Sequence, residues 1–168
     1  MIRDGKVARV NPDVETYGYY IRKQISNIED CLRGLSDEQL NWRPPLDGGN
    51  SPFVIATHVL GNARGWVLGI VCGEDIRRNR PAEFASSGSF SDFEKAAQEM
   101  RGRIQAALRQ LDASRLDERF RPPQELWGEG EPQELSRRSA LADVLEHASI
   151  HLGQIQLTRD LARRAVPS

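Results

Sequence analysis

The sequence predicts an all-α protein folded as one four-helix bundle, and three observations predict it. Apolar residues recur every three or four positions over four long stretches. Proline and small polar residues stand at helix starts, with glycine where two of the stretches stop. No convincing strand lies between them. A chain of 168 residues fits one domain, so residues 1–168 are read as a single unit.

Asn11-Pro12 reads as an N-cap with proline at the first helical position. Val14, Tyr17, Ile21, Ile25, Ile28 and Leu32 then carry a first long helix from about Pro12 to Arg33, and Gly34 stops it. Ser36 and Gln39 form a capping box for a short helix bearing Leu40 and Trp42, ended by Pro44-Pro45. After the loop Leu46–Asn50, Ser51-Pro52 opens a second long helix through Val59, Trp66, Leu68 and Ile70, closed by Gly73. Glu74 to Phe90 is polar and reads as a long surface connection. Ser91-Asp92-Phe93-Glu94 has the pattern of another capping box, with Phe90 as its hydrophobic staple, before a third helix carrying Ala97, Met100, Ile104, Leu108 and Leu111. Three prolines and two glycines between Phe120 and Leu135 exclude a regular helix and leave a loop or a short irregular hairpin. The fourth helix runs from about Ser139 to about Arg163 on Leu141, Val144, Leu145, Ala148, Ile155 and Leu161. The order of the helices around the core stays open at this point.

Composition excludes several classes. Twenty-three Lys plus Arg against 24 Asp plus Glu give a net charge of −1, without the basic excess of a nucleic-acid binder. The N-terminus lacks the apolar core of a signal peptide, and no run approaches the roughly 20 apolar residues of a membrane span, so no membrane partner and a cytoplasmic location are expected. Cys31 and Cys72 read as small buried apolar residues in a reduced compartment, not as a disulfide or a nucleophile.

The chain's only histidines are His58, His147 and His151. His147 and His151 stand four apart on one helix face, where two rings can reach one ion, and His58 lies mid-way along the second helix. Each alone also fits a hydrogen-bonded structural histidine; together, three neutral nitrogens from two rigid helices match a catalytic metal centre with open positions. Asp143, Gln154 and Asn62 are candidates to accept imidazole N–H groups, whereas Glu146 points away as an exposed charge. Alanine at position 148 stands where a HExxH metalloprotease needs glutamate, so that reading fails. Trp42, Trp66 and Trp127 are core residues or the wall of a pocket mouth. The cluster Arg77-Arg78-Asn79-Arg80 reads as solvated surface, with recognition of an anionic co-substrate as its alternative use.

With His58, Asn62 and Trp66 on the second helix, His147-Ala-Ser-Ile-His151-Leu-Gly153-Gln154 on the last, and Leu40-Asn41-Trp42-Arg43-Pro44-Pro45 before a Gly-rich turn, the chain resembles the DinB-like superfamily. The resemblance implies an up-up-down-down four-helix bundle and a divalent ion, zinc or nickel foremost, bound by His58, His147 and His151. It also implies a homodimer and a relation to thiol-dependent transferases. The expected activity is a metal-dependent transfer that activates a low-molecular-weight thiol co-substrate. A metal-hydroxide hydrolase, with Asp143 as base, and a non-catalytic metal-binding stress-response protein remain the alternatives.

Overall fold

The computed structural model describes residues 11–128 and 130–167. Helix α1, Pro12–Leu32, starts where Asn11 Oδ1 accepts the backbone N–H groups of Asp13 and Val14, and it buries Val14, Ile21, Ile25, Ile28 and Leu32. The short α2, Asp37–Asn41, has the expected reciprocal box between Ser36 and Gln39. Helix α3, Pro52–Ala63, is capped by Ser51 and continues without a break as a π-helical segment, Arg64–Val71, where the ladder widens to bonds such as Cys72 N–H to Val67 C=O at 3.0 Å. A one-turn helix, α4, Arg80–Phe84, is followed by α5, Phe90–Gln110. The segment after α5 contains β1, Arg119–Phe120, a single turn α6, Gln124–Trp127, and β2, Leu135–Ser136, which pairs antiparallel with β1. Helix α7, Arg137–Ala165, completes the chain.

The four long helices close a ring in which α1 packs on α5 and α7, and the α3 helix with its π-helical extension packs on the same two. The first and second long helices, and likewise the third and fourth, therefore stand diagonally across the bundle, whereas α3 and α5 are neighbours; segments 33–51 and 111–136, which join the diagonal pairs, must accordingly be long. The core is continuous, with Ile21, Leu32, Leu68, Ile104, Leu141 and Ile155 among its most deeply buried side chains.

Three expectations need correction. Helix α5 begins two residues earlier than the box at Ser91 allows. Ser89 is the cap, with its Oγ accepting from Asp92 N–H while Asp92 accepts from Ser89 N–H, so Phe90 is the first helical residue and not a staple before it. Asn41 decides this, since it binds both the N–H and the C=O of Gly88 and fixes the chain's direction just before Ser89. Helix α7 starts at Arg137, two residues before Ser139, on a Ser136 cap whose Oγ accepts from Ser139 N–H, and buried Arg137 donates from Nε to Val71 C=O at 3.0 Å. Finally, the helical stretch Pro52–Val71 is by length and composition apolar enough to cross a membrane, but it is mostly buried inside the bundle, as befits a core helix. Both cysteines are free thiols.

Candidate metal centre

The middle of α3 and the middle of α7 pack together, and this contact brings the three histidines to one point. His58 Nε2 lies 3.2 Å from His147 Nε2, which lies 3.2 Å from His151 Nε2. One nitrogen from each ring falls within 4.8 Å of the others, with His58 buried and the other two half-buried. Three nitrogens on a tetrahedral ion at roughly 2.0–2.1 Å stand about 3.3 Å apart, so the spacing fits a zinc-like ion with little movement.

Protonation argues the same way. His58 Nδ1 is 2.9 Å from Glu83 Oε2, and His151 Nδ1 is 2.6 Å from Gln154 Oε1. Both partners are acceptors, so each Nδ1 carries the proton and each Nε2 presents a bare lone pair. Two lone pairs thus converge on His147 Nε2, whose single N–H can meet only one of them, while His147 Nδ1 is buried without a partner. A cation at the convergence satisfies all three. Burial is the main reason that the His147 imidazolium is disfavoured, its pKa pushed down to about 3, with neighbouring His151, His58, Arg78 and Arg80 adding to the effect; burial likewise lowers His151. These two rings are held neutral, the form that ligates.

Glu83 owes its position to three contacts. Burial alone would raise its carboxyl pKa, but hydrogen bonds from His58 and Arg78 and the Arg78 charge outweigh burial and hold it below its ordinary value. Arg78 Nε and Nη2 grip the two carboxylate oxygens at 2.8 and 2.9 Å. Gly61, one turn after His58, makes the room: a Cβ there would sit 2.1 Å from Glu83 Oε1.

Clefts flank the triad. One, of about 380 Å³, has His58, His147, Asn62, Arg80 and Asp143 in its lining, with Trp66 and Trp127, whose rings are 5.6 Å apart, as a wall. Another, of about 230 Å³, touches His58 and His151 beneath Leu46 and Phe84. The largest groove, about 760 Å³, lies behind Glu83 between α3 and α5 and includes none of the histidines, so it does not open onto the triad.

A family model of the DinB superfamily matches residues 20–155, a span that carries all three histidines and most of the bundle. The chain belongs to the DinB superfamily. Among solved structures, this DinB-superfamily chain is similar to YfiT from Bacillus subtilis, with 16% identity over 94% of this chain and 90% of that one at a TM-score of 0.64. That protein is described as "a probable metal-dependent hydrolase with an unusual four-helix bundle topology", and the likeness shows the shared fold. No curated protein matches the chain.

In this DinB-superfamily bundle the structure brings His58, His147 and His151 together and places Gln154 on His151. Asp143 lines the cleft beside His147 without bonding it, its carboxyl pKa raised by partial burial and by Glu146; Asn62 lines the same cleft, and Glu146 is exposed. Trp66 is both core and cleft wall, Trp127 joins it, and Trp42 lines neither cleft at the triad. Arg78 corrects the reading of its cluster as solvated surface, because its side chain is 4% exposed and spent on Glu83. Glu83 itself lies inside the stretch read as a plain connection. Its signal was Gly61, a glycine inside an apolar helix one turn from a histidine, which marks a close approach by something else.

Proposed function

We propose that the protein holds one divalent ion, zinc or nickel, on His58, His147 and His151 and transfers a low-molecular-weight thiol to an electrophilic substrate. The observation that carries this reading is the ligand set: three uncharged nitrogens, each on a rigid helix, with no carboxylate among them. Such an ion, when bound, supplies an undiminished positive charge that lowers the pKa of a thiol at its open position.

The protein's residues do the rest. Glu83 and Gln154 orient two of the rings and fix their tautomers. Trp66 and Trp127 wall off one approach, and neither cysteine lines that cleft, so the nucleophile comes with the co-substrate. In the transfer, the thiol proton passes to solvent and a sulfur–carbon bond forms. The leaving group departs from that carbon with its bonding pair. Titrating the nickel-loaded protein with a small thiol is expected to release a proton and alter the visible spectrum; an unchanged spectrum with no proton release would overturn the reading.

Hydrolysis is the second reading, favoured by Asp143 at the rim of the same cleft with a carboxyl pKa above its ordinary value, as suits a base for water. The two separate on Asp143→Asn, which should abolish ester or amide hydrolysis and leave thiol transfer within a few-fold. A purely structural ion would raise the melting temperature while supporting neither reaction.

A further inference from the structure

Arg80 stands apart from the other charged groups at the site. Arg78, two residues earlier, is consumed by Glu83, whereas Arg80 makes no ion pair or hydrogen bond among the described residues, and its Nε is buried without a partner. A buried, unsatisfied donor on a cation costs free energy that nothing in the fold returns. Yet the side chain is held in place. Its guanidinium lies 5.9 Å from the Phe84 ring centroid on one side. On the other it rests against Gly128, whose φ of +108° excludes most side chains and where a Cβ would come 2.8 Å from Nη1. Position 80 is also the first residue of α4, the helix that carries Glu83, so the seat of the guanidinium is tied to the metal centre.

The cleft that Arg80 lines is the one that reaches His58 and His147. Its lining brings the fixed cation, two metal ligands and the Trp66–Trp127 wall around one space, the other arginine there, Arg78, being already paired with Glu83. The acidic side chain lining it, Asp143, forms no ion pair with Arg80 among the described residues. A planar guanidinium with free donors is matched by a carboxylate, which takes two parallel N–H bonds. We infer that Arg80 is a carboxylate-binding subsite, taking the carboxylate of a small organic acid whose other end reaches the metal centre. Assigning that acid to the thiol co-substrate rests on the function proposed above.

Three isosteric probes test the two claims separately: 3-mercaptopropionate, its amide, and butyrate, which keeps the carboxylate and replaces the thiol by methyl. Each is titrated into the full-length cobalt-loaded protein, with calorimetry and tryptophan fluorescence reporting binding and the visible spectrum reporting the metal. The acid is expected to bind about 10–100-fold tighter than the amide. Arg80→Gln should erase this preference at unchanged metal content, and Arg80→Lys should retain part of it. Equal affinity of acid and amide overturns the subsite. So does a preference that survives in Arg80→Gln, which would place the carboxylate on the metal. If butyrate binding depends on Arg80 while 3-mercaptopropionate leaves the cobalt spectrum unchanged, the subsite stands and the thiol reading falls.

Discussion

At the scale of single residues, the metal centre depends on groups that never touch the ion. Glu83 fixes the His58 tautomer, and Gly61 gives Glu83 its place. Removing such a partner typically weakens metal affinity about 10–100-fold. Glu83→Gln and Gly61→Ala are each expected to fall in that range in a competition titration with a chromophoric chelator, with Gly61→Ala keeping its helix because alanine favours it. His151→Ala should lose the metal outright, and unchanged content by elemental analysis would remove the central claim. The titration of His147 gives a pH signature. Its folded pKa, about 3, lies below its unfolded value near 6.5, so the unfolded chain binds the extra proton between them. Stability is then fully present above about pH 6.5 and declines as pH falls toward 3. In thermal melts of the metal-free protein, His147→Gln should flatten that decline. Cys72 shows the converse: burial first, then Glu74, push its thiol up to about 11 against the opposing Arg137, so alkylation at pH 8 should be much slower than for a free thiol.

At the scale of elements, the ligand helix carries two faces. One is apolar and faces the core; the other carries Gly61, Gly65 and Gly69, four residues apart, against which Glu83, Arg78, Leu126 and Ile76 pack. The chain between Glu74 and Phe84 thus lies in a track along α3 and its extension, and α4 is held there by the track. A branched side chain at position 69 would press on Leu126 and Ile76, at 3.0 and 3.3 Å from its Cβ. Gly69→Val is therefore expected to expose segment 74–84 to limited proteolysis and to lower metal affinity from a distance. The legibility of these elements follows from what governs each. Helices α1, α3 and α7 declare themselves through apolar periodicity and caps such as Asn11 and Ser51, which are local signals. The start of α5 is ambiguous from local sequence because two serines two residues apart both satisfy a capping pattern, and the choice is made by Asn41 acting on Gly88, 47 residues along the chain. The role of Glu83 was hidden for the same reason: its partners lie 25 residues back on another helix and in an arginine that charge alone assigns to solvent.

At the scale of the whole molecule, the triad could be read because histidine is rare here and all three copies fall on helices with buried faces. The ring order of the four helices could not, since periodicity describes which face is buried and not which neighbour covers it. An ion on His58 and His147 joins positions 89 residues apart, and anything that binds only the folded state raises its stability. Chelation should therefore lower the melting temperature by several degrees, reversed on adding zinc, and should leave His151→Ala unmoved. The glycine track also sets an order of events in time. It exists only once α3 and its extension are helical, because glycines four apart line up on one side only in a helix, and the segment bearing Glu83 can settle only afterwards. A chain refolding from denaturant should accordingly recover its helical signal before a cobalt-loaded site develops its colour. Gly61→Ala should lengthen the second phase and leave the first unchanged.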